Sequence, residues 1–125
     1  EELAGIFEAR GILLEEIEAL DELNGATSAG RGYGVAGGVA SAIEECVREY
    51  YPDVDVNIEH AESLSECRKM LMLAKAGKKN GCLIEGMACP GGCVAGAGTN
   101  IAVPAAAKAV SNFKSAARKK IPDHA

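Results

Sequence analysis

Two cysteines stand four positions apart in Glu85-Gly86-Met87-Ala88-Cys89-Pro90-Gly91-Gly92-Cys93. Thiolates at that spacing can grip one side of a metal centre. Gly91 and Gly92 carry no side chain, so their N–H groups can approach the sulfides of a cluster, and Pro90 restrains the turn. Gly96 and Gly98 would keep the outgoing chain equally close. A tetrahedral zinc site wants two further Cys or His ligands, and the chain has only His60 and His124 to offer. An iron–sulfur cluster normally wants four cysteines. Cys46 and Cys67 fall on apolar helical stripes and Cys82 inside a short apolar run, where a free thiol acts as a small hydrophobe. The chain thus offers two ligands of four, or else a glycine-rich turn with two idle thiols.

A second glycine-dense window lies upstream. Residues 25–38 and 81–98 together hold 12 of the 15 glycines. Glycine at this density weakens a chain entropically, so a close approach or an unusual turn must require it. Gly32-Tyr33-Gly34-Val35-Ala36-Gly37 matches the dinucleotide pattern G-x-G-x-x-G and opens a helix. That motif must also follow a strand. Asn24-Gly25-Ala26-Thr27-Ser28-Ala29-Gly30-Arg31 is no buried strand, and Asp55, the one acid near the ribose-binding spacing, lies in an acid-rich half. A loop packed closely against the other glycine window is the better reading.

Periodicity supplies the elements that would position these loops. Residues 2–9 read as a helix with Leu3, Ile6 and Phe7 inward, broken by Gly11. Residues 12–23 read as another with Leu13, Ile17 and Leu20 inward, stopped at Asn24-Gly25. A helix from about 38 to 51 has Val39, Ile43, Cys46 and Tyr50 on one face and ends at Pro52-Asp53. Val54, Val56 and Ile58 alternate with polar residues as in a half-buried strand. Ser63-Leu64-Ser65-Glu66 is a capping box that opens a helix with Leu64, Cys67, Leu71 and Ala74 on one stripe, closed by Gly77. Cys82-Leu83-Ile84 fits a buried strand. Pro104 starts a last helix with a stripe of Ala106, Val110, Phe113 and Ala117, stopped by Pro122. Residues 54–84 therefore form a strand–helix–strand unit with parallel strands. The expected class is α/β, a βαβ unit flanked by helices. Two strands are a poor sheet alone, so a partial lobe of something larger is expected. The cysteine loop then leaves the carboxyl end of a parallel strand, where open α/β sheets bind ligands.

Length, composition and charge agree with one domain spanning residues 1–125. Of 125 residues, 48% are apolar, which excludes a disordered tail. No apolar run approaches the ~20 residues of a spanning helix, so no membrane role is expected. The core must be aliphatic: Trp is absent, and Phe7, Tyr33, Tyr50, Tyr51 and Phe113 are the only aromatics. The net charge of −5 divides into −12 over residues 1–62 (15 acids, 3 bases) and +7 over 63–125 (10 bases, 3 acids). Arg118-Lys119-Lys120 is the strongest basic run and reads as a solvated face of the terminal helix. Without stacking aromatics it makes no nucleic-acid site. An odd count of five cysteines and an opening at Glu1-Glu2, with no signal peptide, point to reduced thiols in the cytoplasm. The first Met is Met70, and the sequence reads as part of a longer protein.

Met87-Ala88-Cys89-Pro90-Gly91-Gly92-Cys93-Val94-Ala95-Gly96-Ala97-Gly98 resembles the third cysteine motif in the catalytic domain of the iron-only hydrogenase large subunit. Gly34-Val35-Ala36-Gly37-Gly38-Val39 resembles that family's upstream glycine motif. The resemblance covers about residues 30–120 and implies the C-terminal part of that domain. It implies that Cys89 and Cys93 are two of the four ligands of a 4Fe-4S cluster, lined by Gly91 and Gly92. Cys93 would also bridge to a two-iron subsite interconverting H2 with protons and electrons, and Met87 would pack beside it, which gives Cys93 and Met87 the catalytic roles. Ala97 stands where the family often has Gly, and Tyr33 and Ala36 where Phe and Thr are common. Two earlier cysteine motifs, expected upstream of Glu1, would bring the remaining ligands, so the chain alone is expected to be inactive and without cluster. Expected partners are that N-terminal part, a ferredoxin-like electron carrier or accessory clusters, and a second copy of the chain. The alternative is a non-hydrogenase iron–sulfur assembly or carrier relative, which holds the 4Fe-4S cluster without the two-iron subsite. A weaker one is a stand-alone interaction domain whose acidic and basic halves dock partners.

Overall fold

The computed structural model describes residues 1–18 and 25–123. The chain order is α1 (Glu2–Ala9), a 3-10 turn (Leu14–Glu16), α2 (Ser28–Arg31), α3 (Gly38–Tyr50), β1 (Asn57–Glu62), α4 (Leu64–Lys75), β2 (Cys82–Met87), a 3-10 turn (Cys93–Ala95) and α5 (Val103–Ser115). β1 and β2 form a two-stranded parallel sheet with Asn57 opposite Cys82 and Glu62 opposite Met87, and α4 connects them. This is the expected α/β arrangement of a βαβ unit flanked by helices.

β1 begins later than hydropathy alone implies, and both strands end later. β1 starts at Asn57 rather than Val54, because β2 begins at its partner Cys82, behind the turn that holds Gly81. Val54 is left outside the ladder and exposed. β1 then continues through Glu59, His60 and Glu62, polar residues that the ladder tolerates because each side chain finds a partner. Glu59 pairs with Lys79 at 2.5 Å, His60 with Glu85 at 3.1 Å, and Glu62 with a backbone N–H.

The core is made of small residues. Among the described residues the buried hydrophobics are Ala29, Ala40, Ala42, Ala61 and Ala106, joined by Gly32 and Gly92. The aliphatic stripes expected to fill it lie largely outside it. On α4, Leu64 is 74% exposed and Leu71 65%. On α3, Ile43 is exposed, and the buried residues are Ala40 and Ala42. On α5, Ala106 is buried but Phe113 is exposed, with the Arg31 guanidinium stacked 4.2 Å from its ring centre.

Two expected helices are shorter or absent. α1 forms and ends before Gly11 at φ +63, but it buries none of its residues; Leu3 and Ile6 face outward. Of the helix expected over 12–23, residues 12–18 hold one 3-10 turn, with Ile17 extended at φ −85, ψ 121; the rest of it, with Leu20, and Asn24 lie outside the described residues. Leu13 and Ile17 are exposed, and short helices draw their stability mainly from packing an apolar face. α5 ends at Ser115, so Ala117 and Arg118-Lys119-Lys120 follow the helix rather than decorate it. The Lys119 and Lys120 carbonyls accept the Ser28 and Ala29 N–H groups at 2.7 and 2.8 Å, which satisfies the first turn of α2.

Candidate metal-ligand loop

The cysteine loop leaves β2 at its carboxyl end, at Met87. There the Met87 carbonyl accepts the Ser63 N–H at 2.8 Å and ties the loop's root to the end of β1. Gly92 donates to the Cys89 carbonyl at 2.9 Å, closing the turn between the two cysteines. Gly91 and Gly92 have φ +94 and +89, in the region that strains any residue with a Cβ. Cys93 then opens the 3-10 turn. Cys89 is half-buried and Cys93 exposed, and both are free thiols.

The two glycine windows are joined to each other, as their sequences suggest. Ala36 donates to the Gly91 carbonyl and Val94 to the Gly34 carbonyl, each at 3.0 Å. A Cβ on Gly92 would lie 2.5 Å from the Ala36 nitrogen and 2.7 Å from the Val35 carbonyl carbon. A Cβ on Gly38 would lie 2.0 Å from the Gly32 carbonyl oxygen. These glycines are required by backbone-to-backbone approach. Gly96 is also tight, with a Cβ position 3.1 Å from the Cys93 oxygen, but Gly98 is not: the nearest atom there is 4.0 Å away.

Two carboxylates on the strands hold these loops, Glu85 within β2 and Glu62 at the end of β1. Glu85 is 8% exposed. Its Oε2 accepts the Gly37 N–H at 2.6 Å, and its Oε1 accepts those of Val39 at 3.0 Å and Ala40 at 3.1 Å. It therefore caps α3 from outside, and His60 Nδ1 lies 3.1 Å from the same Oε2. Burial alone raises the Glu85 pKa, but the N–H groups of Ala40, Gly37 and Val39 and the His60 ring outweigh it and hold it below its ordinary value. Glu62 is the second: its Oε2 accepts the Gly91 N–H at 2.7 Å.

Several sequence expectations change here. The N–H groups of Gly91 and Gly92 are engaged by Glu62 and by the Cys89 carbonyl, so these glycines shape the loop and do not aim donors at a ligand. The nucleotide reading of Gly32 to Gly37 loses its anion site, because the Glu85 carboxylate occupies the amino end of α3. The segment before Gly32 is the short helix α2 and Asp55 is exposed. The capping box is half-formed: Ser63 Oγ accepts the Glu66 N–H at 3.3 Å, while Glu66 Oε2 accepts from Glu62 rather than from Ser63. Cys46, Cys67 and Cys82 are half-buried rather than buried. Cys82 Sγ accepts from Asn57 Nδ2 at 3.2 Å, and Cys67 Sγ lies 3.6 Å from the Ala61 oxygen. His124 lies outside the described residues. Among the described residues no three His, Cys, Asp or Glu side chains come together as a metal site. Cys89 and Cys93 thus share one loop, and His60 is held by Glu85.

Sequence reasoning missed Glu62 and Glu85 as loop anchors. The signal was an acidic residue in each strand, Glu62 immediately before the capped start of α4 and Glu85 immediately before Gly86. No helix among the described residues is long and apolar enough to cross a membrane.

Comparison with known proteins adds an independent line. No curated protein matches the chain. Residues 1–97, which include both glycine windows' joined segments and both loop cysteines, match the family described as iron only hydrogenase large subunit, C-terminal domain. The match begins earlier and ends earlier than the motif resemblance over about 30–120, and leaves α5 outside it. With more than three-quarters of its length matched, the chain belongs to this family, the C-terminal domain of the iron-only hydrogenase large subunit.

Proposed function

We propose that this chain is the part of an iron-only hydrogenase catalytic domain that contributes Cys89 and Cys93 as two of the four thiolates of its iron–sulfur cluster. The observation that carries the proposal is a family match running through both cysteines, on a loop at the carboxyl end of a parallel strand. Two free thiols on one glycine-shaped loop fit half of a four-thiolate set. No third ligand joins them among the described residues, so the other two must come from another segment. When bound, the H-cluster would supply the redox-active iron at which protons and electrons interconvert with H2. Cys89 and Cys93 would hold that group, and Met87, at the strand end, would pack beside it. Gly91 and Gly92 let the loop run against Val35 and Ala36. The chain alone is inactive, and its missing partner is an N-terminal part of the same protein. The exposed Leu3, Ile6, Leu64 and Leu71 support such a covering partner. A ferredoxin-like carrier or accessory clusters would bring the electrons, in the cytoplasm.

The test is to express the longest reading frame containing this chain, assemble its clusters without oxygen, and measure iron and hydrogen turnover. Hydrogen turnover that Cys89→Ala and Cys93→Ala abolish, with loss of cluster iron, supports the proposal. Cluster iron without any hydrogen turnover would instead indicate an assembly or carrier relative. Iron unaffected by either substitution removes the ligand assignment.

A further inference from the structure

We propose that Glu62 is a positioning residue for the cysteine loop, an inference that rests on reading Cys89 and Cys93 as the ligand pair. Glu62 is the last residue of β1 and stands opposite Met87 in the ladder. Its own N–H is held by Glu66 Oε2 at 2.9 Å, and the next residue, Ser63, donates to Met87 at 2.8 Å. The backbone that carries this carboxylate is therefore fixed from both α4 and β2. Its Oε2 reaches across and accepts the Gly91 N–H at 2.7 Å. From the other side, the Gly91 carbonyl accepts the Ala36 N–H at 3.0 Å. Gly91 is thus gripped at both its donor and its acceptor.

That grip matters because of where Gly91 stands, two residues after Cys89 and two before Cys93. A Gly-Gly pair at positive φ has more conformational freedom than any other pair, and orienting it orients both flanking thiols. The bond from a carboxylate to an N–H is charge-assisted and outlasts a neutral one. Glu85, two residues before the end of β2, performs the matching task for the upstream glycine loop, so each of the two parallel strands carries a carboxylate that fixes one glycine window. Nothing in the cysteine motif itself encodes this anchor, which lies nearly thirty residues upstream.

The inference is tested on the full chain, reduced and free of oxygen, by following iodoacetamide labelling of the five cysteines by mass spectrometry. Glu62→Ala is expected to raise the labelling rate of half-buried Cys89 by about tenfold, the opening expected when one charge-assisted hydrogen bond is lost. Cys46, Cys67 and Cys82 keep their rates. Glu62→Gln retains an acceptor oxygen and restores Cys89 labelling to within about twofold of the wild type. Glu62→Asp keeps the charge but shortens the reach, and behaves like Ala; it serves if the alanine variant does not fold. Exchange of the Gly91 amide accelerates in Glu62→Ala and Glu62→Asp, while that of Gly37, held by Glu85, does not. Equal acceleration of all five thiols, or an unchanged Cys89 rate and Gly91 exchange, would overturn the proposal. None of these readouts uses iron, so they fail or succeed apart from the ligand assignment, which the iron content of the cysteine variants decides.

Discussion

The loop layer and the amino-terminal segment of this chain are built on opposite terms. In the loop layer, residues 27–40 meet residues 85–96 through backbone hydrogen bonds, buried alanines and glycines, and two carboxylates that cap free N–H groups. Residues 1–18 hold α1 and one 3-10 turn and bury no side chain. Large apolar side chains are plentiful in the second region and nearly absent from the centre of the first. Order here follows polar satisfaction and close backbone approach rather than apolar bulk. The large side chains of residues 1–18 face outward.

That contrast can be broken at its strongest point by Gly92→Ala. The new methyl would collide with the Ala36 nitrogen at 2.5 Å and sit at φ +89. Overpacking and backbone strain together should cost roughly 3–5 kcal/mol, read as a fall in the urea midpoint. A loss below about 1 kcal/mol would mean that the two glycine windows are not held as tightly as the distances imply.

Glu85→Ala comes next. It leaves the N–H groups of Gly37, Val39 and Ala40 without their carboxylate, at a cost of about 2–3 kcal/mol. Glu85→Gln should cost less, because an amide oxygen still accepts. The same residue predicts a pH dependence. Its folded pKa lies below the ordinary 4.5, so the unfolded chain binds the proton more readily. The stability it contributes is full above that ordinary value and is lost as pH falls through the lower folded value. Thermal unfolding from pH 7 to pH 3 should show an acid loss that is smaller in Glu85→Gln; identical profiles would remove Glu85 as its source.

Ser63→Gly sharpens the comparison in the other direction. Ser63 is the one described non-glycine residue at positive φ, with φ 96 and ψ 153, a region that costs other residues about 1–3 kcal/mol. Glycine removes that strain and forfeits a few tenths of a kcal/mol of capping. A gain of about 1 kcal/mol is expected, and a clear loss would show that the Ser63 hydroxyl outweighs the backbone term. The smallest effect belongs to the outer face of α4. Leu71→Ser, at a residue 65% exposed, should change the stability of the chain by no more than about 0.5 kcal/mol. A larger loss would place Leu71 in a contact within the chain itself.

Much of the framework was legible from residue order. Gly77 marked the end of α4, Ser63 its start, and Pro104 the start of α5, as capping rules require. The βαβ unit followed from two apolar runs around a capped helix. The stripes misled wherever apolar spacing had no partner: Leu64 and Leu71 are at helical spacing, yet nothing within the described chain covers them. The start of β1 misled because a strand extends as far as its neighbour does, and β2 begins at the partner of Asn57.

For the site, the pattern of Cys89, Pro90, Gly91, Gly92 and Cys93 by itself determined a loop with two thiols, since residue type and spacing are local. It equally determined that glycine must allow some close approach. What the glycines approach was decided in three dimensions. Gly92 runs against Val35 and Ala36, more than fifty residues away, and Gly91 rests on Glu62. A carboxylate shows no periodic or spacing signal for a distant N–H group. Its partner is set by where two strands end, and that is a property of the folded sheet.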